Sequence, residues 1–148
     1  MKISLGSDHG GFLLKEQLKE YLVSEGHQVI DSGTESEESC HYPVFAFRAA
    51  NLVKNGDCDR GILVCTTGEG IMIAANKVKG IRCGLAYNSE VTALMVQHNN
   101  CNMMSLGAKF TSFPEASERV DIFLKSVFLG ERHALRVKMI GDYETEHE

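Results

Sequence analysis

The stretch from Gly61 to Gly80, GILVCTTGEGIMIAANKVKG, restricts this chain to few folds. Ile62, Leu63 and Val64 form a short apolar run of the kind that fills a strand buried on both faces, as in parallel sheets. The run stops at Cys65, passes through Thr66-Thr67-Gly68-Glu69-Gly70, and takes on helical character from Ile71 to Ala75. A strand feeding a glycine-rich turn and then a helix leaves several backbone N–H groups without partners. With the positive end of the helix dipole, those donors favour an anion or a developing oxyanion. Cys65 and Thr67 stand at the mouth of the turn and are the first candidates for chemistry. Ile73 occupies the place of the third glycine of a dinucleotide fingerprint, and the Gly-Lys-Ser/Thr ending of a P-loop is missing. Taken alone, the stretch reads equally well as a tight connection with a buried cysteine.

The rest of the chain repeats the alternation. Strands are expected at Lys2–Gly6, His27–Ile30, up to Cys65, Ile81–Ala86 and Asn102–Leu106. Helices are expected over Phe12–Val23, from Pro43 to about Asn55, from Asn88 or Ser89 through Gln97, from Ser112 or Pro114 to about Leu129, and over Glu131–Ile140. The polar residues 142–148 read as a frayed tail. Five strand–helix alternations imply a parallel sheet covered on both faces, and 148 residues suit a single domain, 1–148. In such sheets ligands bind beyond the carboxyl ends of the strands. Asp8 and His9 follow the first strand and Cys65 to Gly70 the third, so both sets fall on one rim.

Composition narrows the function. A formal charge of −5 argues against a non-specific nucleic-acid role. The longest apolar run is well short of the roughly 20 residues a membrane span needs, and MKISLGSDHGG does not resemble a signal peptide. The five cysteines (Cys40, Cys58, Cys65, Cys83 and Cys101) are odd in number and include no C-x-x-C pair. That points to free thiols in a reducing cytoplasm, without a disulfide framework or zinc site.

Each candidate group has a plainer alternative. Asp8 could cap a helix, with His9 a solvated turn residue. His98 falls at the end of a helix, where such residues are commonly structural. Arg132 and Arg136 are four apart on one helical face, so they form either a phosphate clamp or a solvated basic face. Lys109 carries the same two readings, and Tyr42 beside Pro43 could be a core residue. Cys65 could be a general base or an inert core thiol, with Glu69 as the competing base.

SDHGG after the first strand, HYP at 41, GILVCTTGEGIMIAANKVKGIR, QHNNCN and GERHALRV together resemble ribose-5-phosphate isomerase B and its hexose-phosphate isomerase relatives, over Met1 to about Ile140. The resemblance implies a Rossmann-like α/β/α sandwich with a five-stranded parallel sheet and a C-terminal helix. It also implies a homodimer or dimer of dimers with a site shared across the interface, no metal and no organic cofactor. The substrate would be a phosphorylated sugar. Asp8 and His98 match the groups that open the sugar ring, and Cys65 matches the base that moves a proton between C2 and C1. Thr67 and the Gly68–Gly70 backbone match the turn that stabilises the enediolate. His9, Arg132 and Arg136 match phosphate ligands, and Tyr42 and Asn99 match residues lining the sugar. Some relatives use a carboxylate further along the loop, where this chain has Ile71. Three departures bear on the substrate: Thr66 replaces a usual glycine, Asn100 a usual aspartate, and Lys109 a phosphate-holding arginine. A hexose 6-phosphate isomerase of the galactose or allose type, or a non-catalytic phosphosugar-binding module, remain the alternatives.

Overall fold

The architecture is that of a parallel sheet sandwiched between helices, in a computed structural model that describes residues 1–147. In chain order the elements are β1 (Lys2–Ser7), α1 (Phe12–Ser24), β2 (Gln28–Asp31), α2 (Tyr42–Lys54), β3 (Arg60–Cys65) and α3 (Glu69–Ala75). There follow β4 (Cys83–Leu85), α4 (Ser89–Gln97), β5 (Met103–Gly107), α5 (Phe113–Lys125) and α6 (Arg132–Glu146). The five strands lie in the order β2-β1-β3-β5-β4 and every pairing is parallel. The central apolar stretch therefore becomes the central strand.

Alternation along β3 divides the core in two. Ile62 and Val64 join Ile3, Leu5, Met104 and Leu106 against α1 and α5, where Leu18, Leu22, Val120 and Phe123 are fully buried. Leu63 and Cys65 face the other way, onto Ala46, Ala49 and Ala50 of α2 and Ile71, Ala74 and Ala75 of α3. The small side chains of α2 let it lie close on the sheet: a Cβ at Gly6 would sit 3.5 Å from that of Ala49. With strands parallel and helices returning, every strand-to-helix turn lies on a carboxyl rim and every helix-to-strand turn on an amino rim.

Helix ends follow their capping chemistry. Ser112 and Glu115 form a reciprocal capping box at the start of α5, each donating a backbone N–H to the other's side chain at 3.3 Å. That helix stops at Lys125, short of the expected Leu129, because Ser126 turns extended and its hydroxyl donates to Ile122 O at 2.6 Å. The released strap lets Leu129 N–H donate to Gln97 O at 3.0 Å. Conversely, α6 runs to Glu146, so most of the expected tail is helical. A Lys138–Asp142 ion pair at 2.6 Å and the Tyr143–His147 ring stack support this last stretch. Glu148 lies outside the described residues.

Lys15 has no exposed side-chain surface, and its ammonium lies 2.8 Å from Asp31 and 3.1 Å from Glu16. Lys19 also reaches Asp31 at 2.8 Å. Burial opposes ionisation of Asp31. Hydrogen bonds from Lys15, Lys19 and the Gly33 N–H outweigh that effect and hold its pKa below the usual carboxylate value. Asp31→Ala leaves Lys15 buried with only Glu16. The cost should lie toward the low end of about 3–5 kcal/mol, because Asp31 itself is partly solvated. A depressed pKa contributes stability above the unfolded value, near pH 4, and loses it as pH falls through the folded value. Urea unfolding should therefore show the wild-type advantage at pH 7 and a narrowing gap below about pH 4.

Candidate active site

The carboxyl rim is built around two turns. After β1, Asp8 is buried, its carboxylate accepts the Gly11 N–H at 3.2 Å, and its own N–H donates to Val64 O at 3.3 Å. It thus caps the short 3-10 turn His9–Gly11 while sitting on the rim. His9 Nδ1 accepts the backbone N–H of Cys40 at 3.2 Å, with the Cys40 Sγ 3.8 Å away. An accepting Nδ1 puts the proton of a neutral ring on Nε2, which is then available to donate to an anion.

After β3 the chain enters Thr66-Thr67-Gly68, and Gly68 takes a left-handed φ of +80° that starts α3. Its N–H donates to Cys65 Sγ at 3.1 Å, and the Glu69 N–H donates to Thr67 Oγ1 at 3.2 Å. Two of the donors expected to be open are therefore used inside the turn. The N–H groups of Gly70 and Ile71 have no intrahelical partner. Cys65 is only 5% exposed. Tyr42, exposed at the start of α2, lays its ring where a Gly70 side chain would be: a Cβ there would come within 2.7 Å of the ring.

The third turn, after β5, closes the rim. Lys109 N–H donates to Thr66 O at 3.1 Å, and a Cβ at Gly107 would lie 2.6 Å from Thr67 O. His9, Gly10, Thr66 and Lys109 line one hollow of about 360 Å³. Thr67, Glu69, Gly107 and Arg119 line a neighbouring one of about 280 Å³. A hollow of about 660 Å³ lies at the edge of the rim, where the chain leaves β2 and passes α2, and holds none of the expected site residues. No cluster of metal-ligating side chains occurs among the described residues.

The remaining expected residues gather on the amino rim. His98 caps the end of α4, its ring stacked on that of His133 with centroids 4.2 Å apart and planes within 9°. The carbonyls of Asn99 and Asn100 accept from Arg82 Nε at 3.2 and 2.9 Å. Asn100 has a φ of +48°, a conformation asparagine and aspartate both tolerate, so the departure there is compatible with the backbone. Arg132 and Arg136 lie on α6, exposed, and have no ion-pair partner among the described residues.

One chain therefore assembles Asp8, His9, Tyr42, Cys65, Thr67, Gly68, Gly70 and Lys109 at one end of the sheet, and His98, Asn99, Arg132 and Arg136 at the other. Cys65 pairs with Gly107 at the end of β5, while Asn99 and Asn100 precede its start at Met103. The four steps of that strand alone span about 13 Å. Cys40 and His133 are absent from the expected set. Each touches an expected site residue more than 30 positions away in the chain, and no spacing in the sequence signals such a contact.

Comparison with known proteins resolves what this arrangement belongs to. The Ribose/Galactose Isomerase family profile matches residues 3–140. The chain belongs to this family. It is 42% identical to ribose-5-phosphate isomerase B of Escherichia coli over 143 residues, covering 97% of this chain and 96% of that one. Among solved structures, ribose-5-phosphate isomerase B of Clostridium thermocellum superposes with a TM-score of 0.98 at 46% identity, covering all of both chains. The Mycoplasma genitalium enzyme with bound ribulose 5-phosphate gives a TM-score of 0.93 at 41% identity, covering 98% of this chain and 97% of that one. These similarities confirm the expected fold and family.

Within that family frame, the departure at Thr66 has a physical counterpart in this chain. A Cβ at residue 10 would collide with Thr66 Oγ1, so the threonine is accommodated because residue 10 is glycine. Gly10→Ala should cost about 1–3 kcal/mol by overpacking, and Thr66→Gly in the same chain should restore most of it. A double-variant cycle on melting temperature and kcat/KM checks this coupling. Additive effects would mean that Thr66 simply rotates out of the way.

Proposed function

We propose that the protein interconverts ribose 5-phosphate and ribulose 5-phosphate in the cytoplasm, as a homodimer in which each site joins the carboxyl rim of one chain to the amino rim of the other. The observation that carries the reaction is a thiol at the end of the central strand, hydrogen-bonded within a glycine turn, in a chain of this family. Support for the pentose comes from the relative that holds ribulose 5-phosphate. The five free cysteines are consistent with a reducing compartment.

The chemistry would run in two stages. In ring opening, the anomeric hydroxyl loses a proton, the ring oxygen gains one, and the bond between C1 and the ring oxygen breaks to leave an aldehyde. Asp8 and His98 serve these proton movements. Cys65 then takes the proton from C2, and the electron pair forms the C1–C2 double bond as the carbonyl pair moves onto O1. The O2 hydroxyl proton is passed to O1, and the C2 carbonyl forms as Cys65 returns its proton to C1. Thr67 and the turn N–H groups stabilise the enediolate oxygens. His9, Lys109, Arg132 and Arg136 hold the phosphate, with Tyr42 and Asn99 against the sugar.

The dimer rests on two features. The expected groups are divided between the two ends of the sheet in one chain, eight at one and four at the other, so a single copy cannot close a site around one small sugar. In addition, α6 leaves Leu135, Met139, Ile140 and Tyr143 at least half exposed, an apolar face that a second copy would cover.

Cys65→Ala should lower kcat by at least about 10²-fold with KM changed only a few-fold, because it removes proton transfer alone. Glu69→Gln should keep most activity; the reverse pattern would transfer the base role to Glu69. Mixing Cys65→Ala with His98→Ala chains tests the shared site. Random reassortment makes about half the dimers mixed, each with one intact site, so up to about a quarter of wild-type activity should return. Verified mixed dimers without activity would show that one chain supplies both groups.

A further inference from the structure

We propose that His133 is a positioning residue for His98, fixing the plane of its ring so that the imidazole meets the sugar ring oxygen in one orientation. This rests on the reading of His98 as a ring-opening group in a ribose 5-phosphate isomerase.

Left to itself, His98 would be poorly held. It caps the end of α4, its backbone N–H bonds to Leu94 O at 2.8 Å, and the chain then turns away through Asn100 at φ +48°. Nothing in a helix cap sets the two side-chain torsions of the residue that ends it. His133 does so from another element. Its ring lies 4.2 Å from that of His98, within 9° of parallel, and it is the one buried side chain of α6 at 8% exposure.

The placement of His133 is itself fixed. The Leu129 N–H to Gln97 O bond pins the strap to the end of α4, and His133 N–H donates to Gly130 O at 3.0 Å in the first turn of α6. The stacked pair thus joins the end of α4 to the first turn of α6, the helix that carries Arg132 and Arg136. An apolar side chain would anchor α6 at lower cost, since burying an imidazole sacrifices hydration. What an imidazole or another flat ring adds is a face.

The charged and titratable groups around His133 agree with this role. Burial first, then His98 on α4 and Arg132 and Arg136 on α6, push its pKa below the usual histidine value, against a smaller opposing effect of Glu131. That direction favours the neutral ring, the form that stacks on His98 without the repulsion of two imidazolium ions.

The substrate pair supplies a readout that separates orientation of His98 from general damage. Ribose 5-phosphate is a ring that must open before C2 can lose its proton. Ribulose 5-phosphate cannot close on its phosphorylated O5, so it is already an open chain. Exchange of its C1 proton with deuterium from heavy water needs the base and the enediolate donors, and no ring opening.

The variants to compare are His133→Leu, which fills the space without a flat face, and His133→Phe, which restores one. We expect His133→Leu to lower kcat/KM for ribose 5-phosphate by about 10–100-fold, as a small misplacement of a reacting group does. Its C1 exchange rate on ribulose 5-phosphate, followed by proton NMR, should stay close to wild type. His133→Phe should recover most of the lost ring-form activity. His98→Ala is the control and should show the same split more strongly. If His98→Ala loses both rates together, the ring-opening reading fails and the inference with it. If His98→Ala shows the split while His133→Leu loses both rates together or neither, or if His133→Phe is as poor as His133→Leu, the positioning role is overturned and the reading of His98 stands.

Discussion

The polarity of the parallel sheet is the constraint on which the rest depends. Because β1, β3 and β5 run the same way, their outgoing turns share a rim, and Asp8, Cys65 and Lys109 meet there although they are spread over a hundred residues. The same polarity sends the end of α4 to the opposite rim, so His98 and Asn99 cannot join them within one chain. The strap after α5 then leads α6 along that second rim, where Gly80 N–H donates to the Glu144 carboxylate at 3.1 Å. A fold that gathers the expected groups of one rim so efficiently keeps those of the other rim apart by the same geometry. In the proposed dimer, association resolves that conflict without any change in the sheet.

The carboxyl rim is assembled with little side-chain bulk. Gly11 lies against Val64 O, Gly107 against Thr67 O, and Gly70 against the Tyr42 ring, each too close for a Cβ without a shift. Three turns can therefore nest backbone on backbone, and this is what brings His9, Cys65 and Lys109 to neighbouring walls. Their hydrogen bonds are mostly between backbone groups or from backbone to side chain, so the rim is rigid before any sugar arrives. Such preorganisation matters for an enediolate, whose charge must be met by donors that need not rearrange.

Sequence patterns made the scaffold legible because it depends on local periodicity. The apolar run Ile62–Val64, the glycine turn after it and the alternation of elements locate all five strands to within a few residues. Helix ends were harder. Apolar residues at Val127 and Leu129 extend the helical pattern of α5, yet Ser126 breaks it and both residues stay exposed. The polar sequence after Ile140 looks like a tail, yet side-chain pairs four apart sustain it as helix. The contacts that give the rims their detail were not legible at all: Cys40 with His9, Thr66 with Gly10, Lys15 with Asp31, and His133 with His98. Each joins residues from different elements, and a single sequence carries no period or spacing for such a meeting.

The cysteines show how position in the fold decides what an identical group can do. Burial pushes the Cys83 thiol far above its ordinary pKa, with Cys101 nearby adding to the effect, and pushes Cys101 itself up to about 11. Burial also raises Cys58. These three stand at or just before the amino ends of β4, β5 and β3, where they pack as small apolar side chains. Cys65 is just as inaccessible to water, but it ends its strand on the opposite rim, and there its sulfur meets a backbone N–H of a glycine turn. Low exposure alone therefore does not separate an inert thiol from a candidate base. The end of the strand on which the thiol sits does, because only the carboxyl rim combines shielding from water with donors directed at the same small volume.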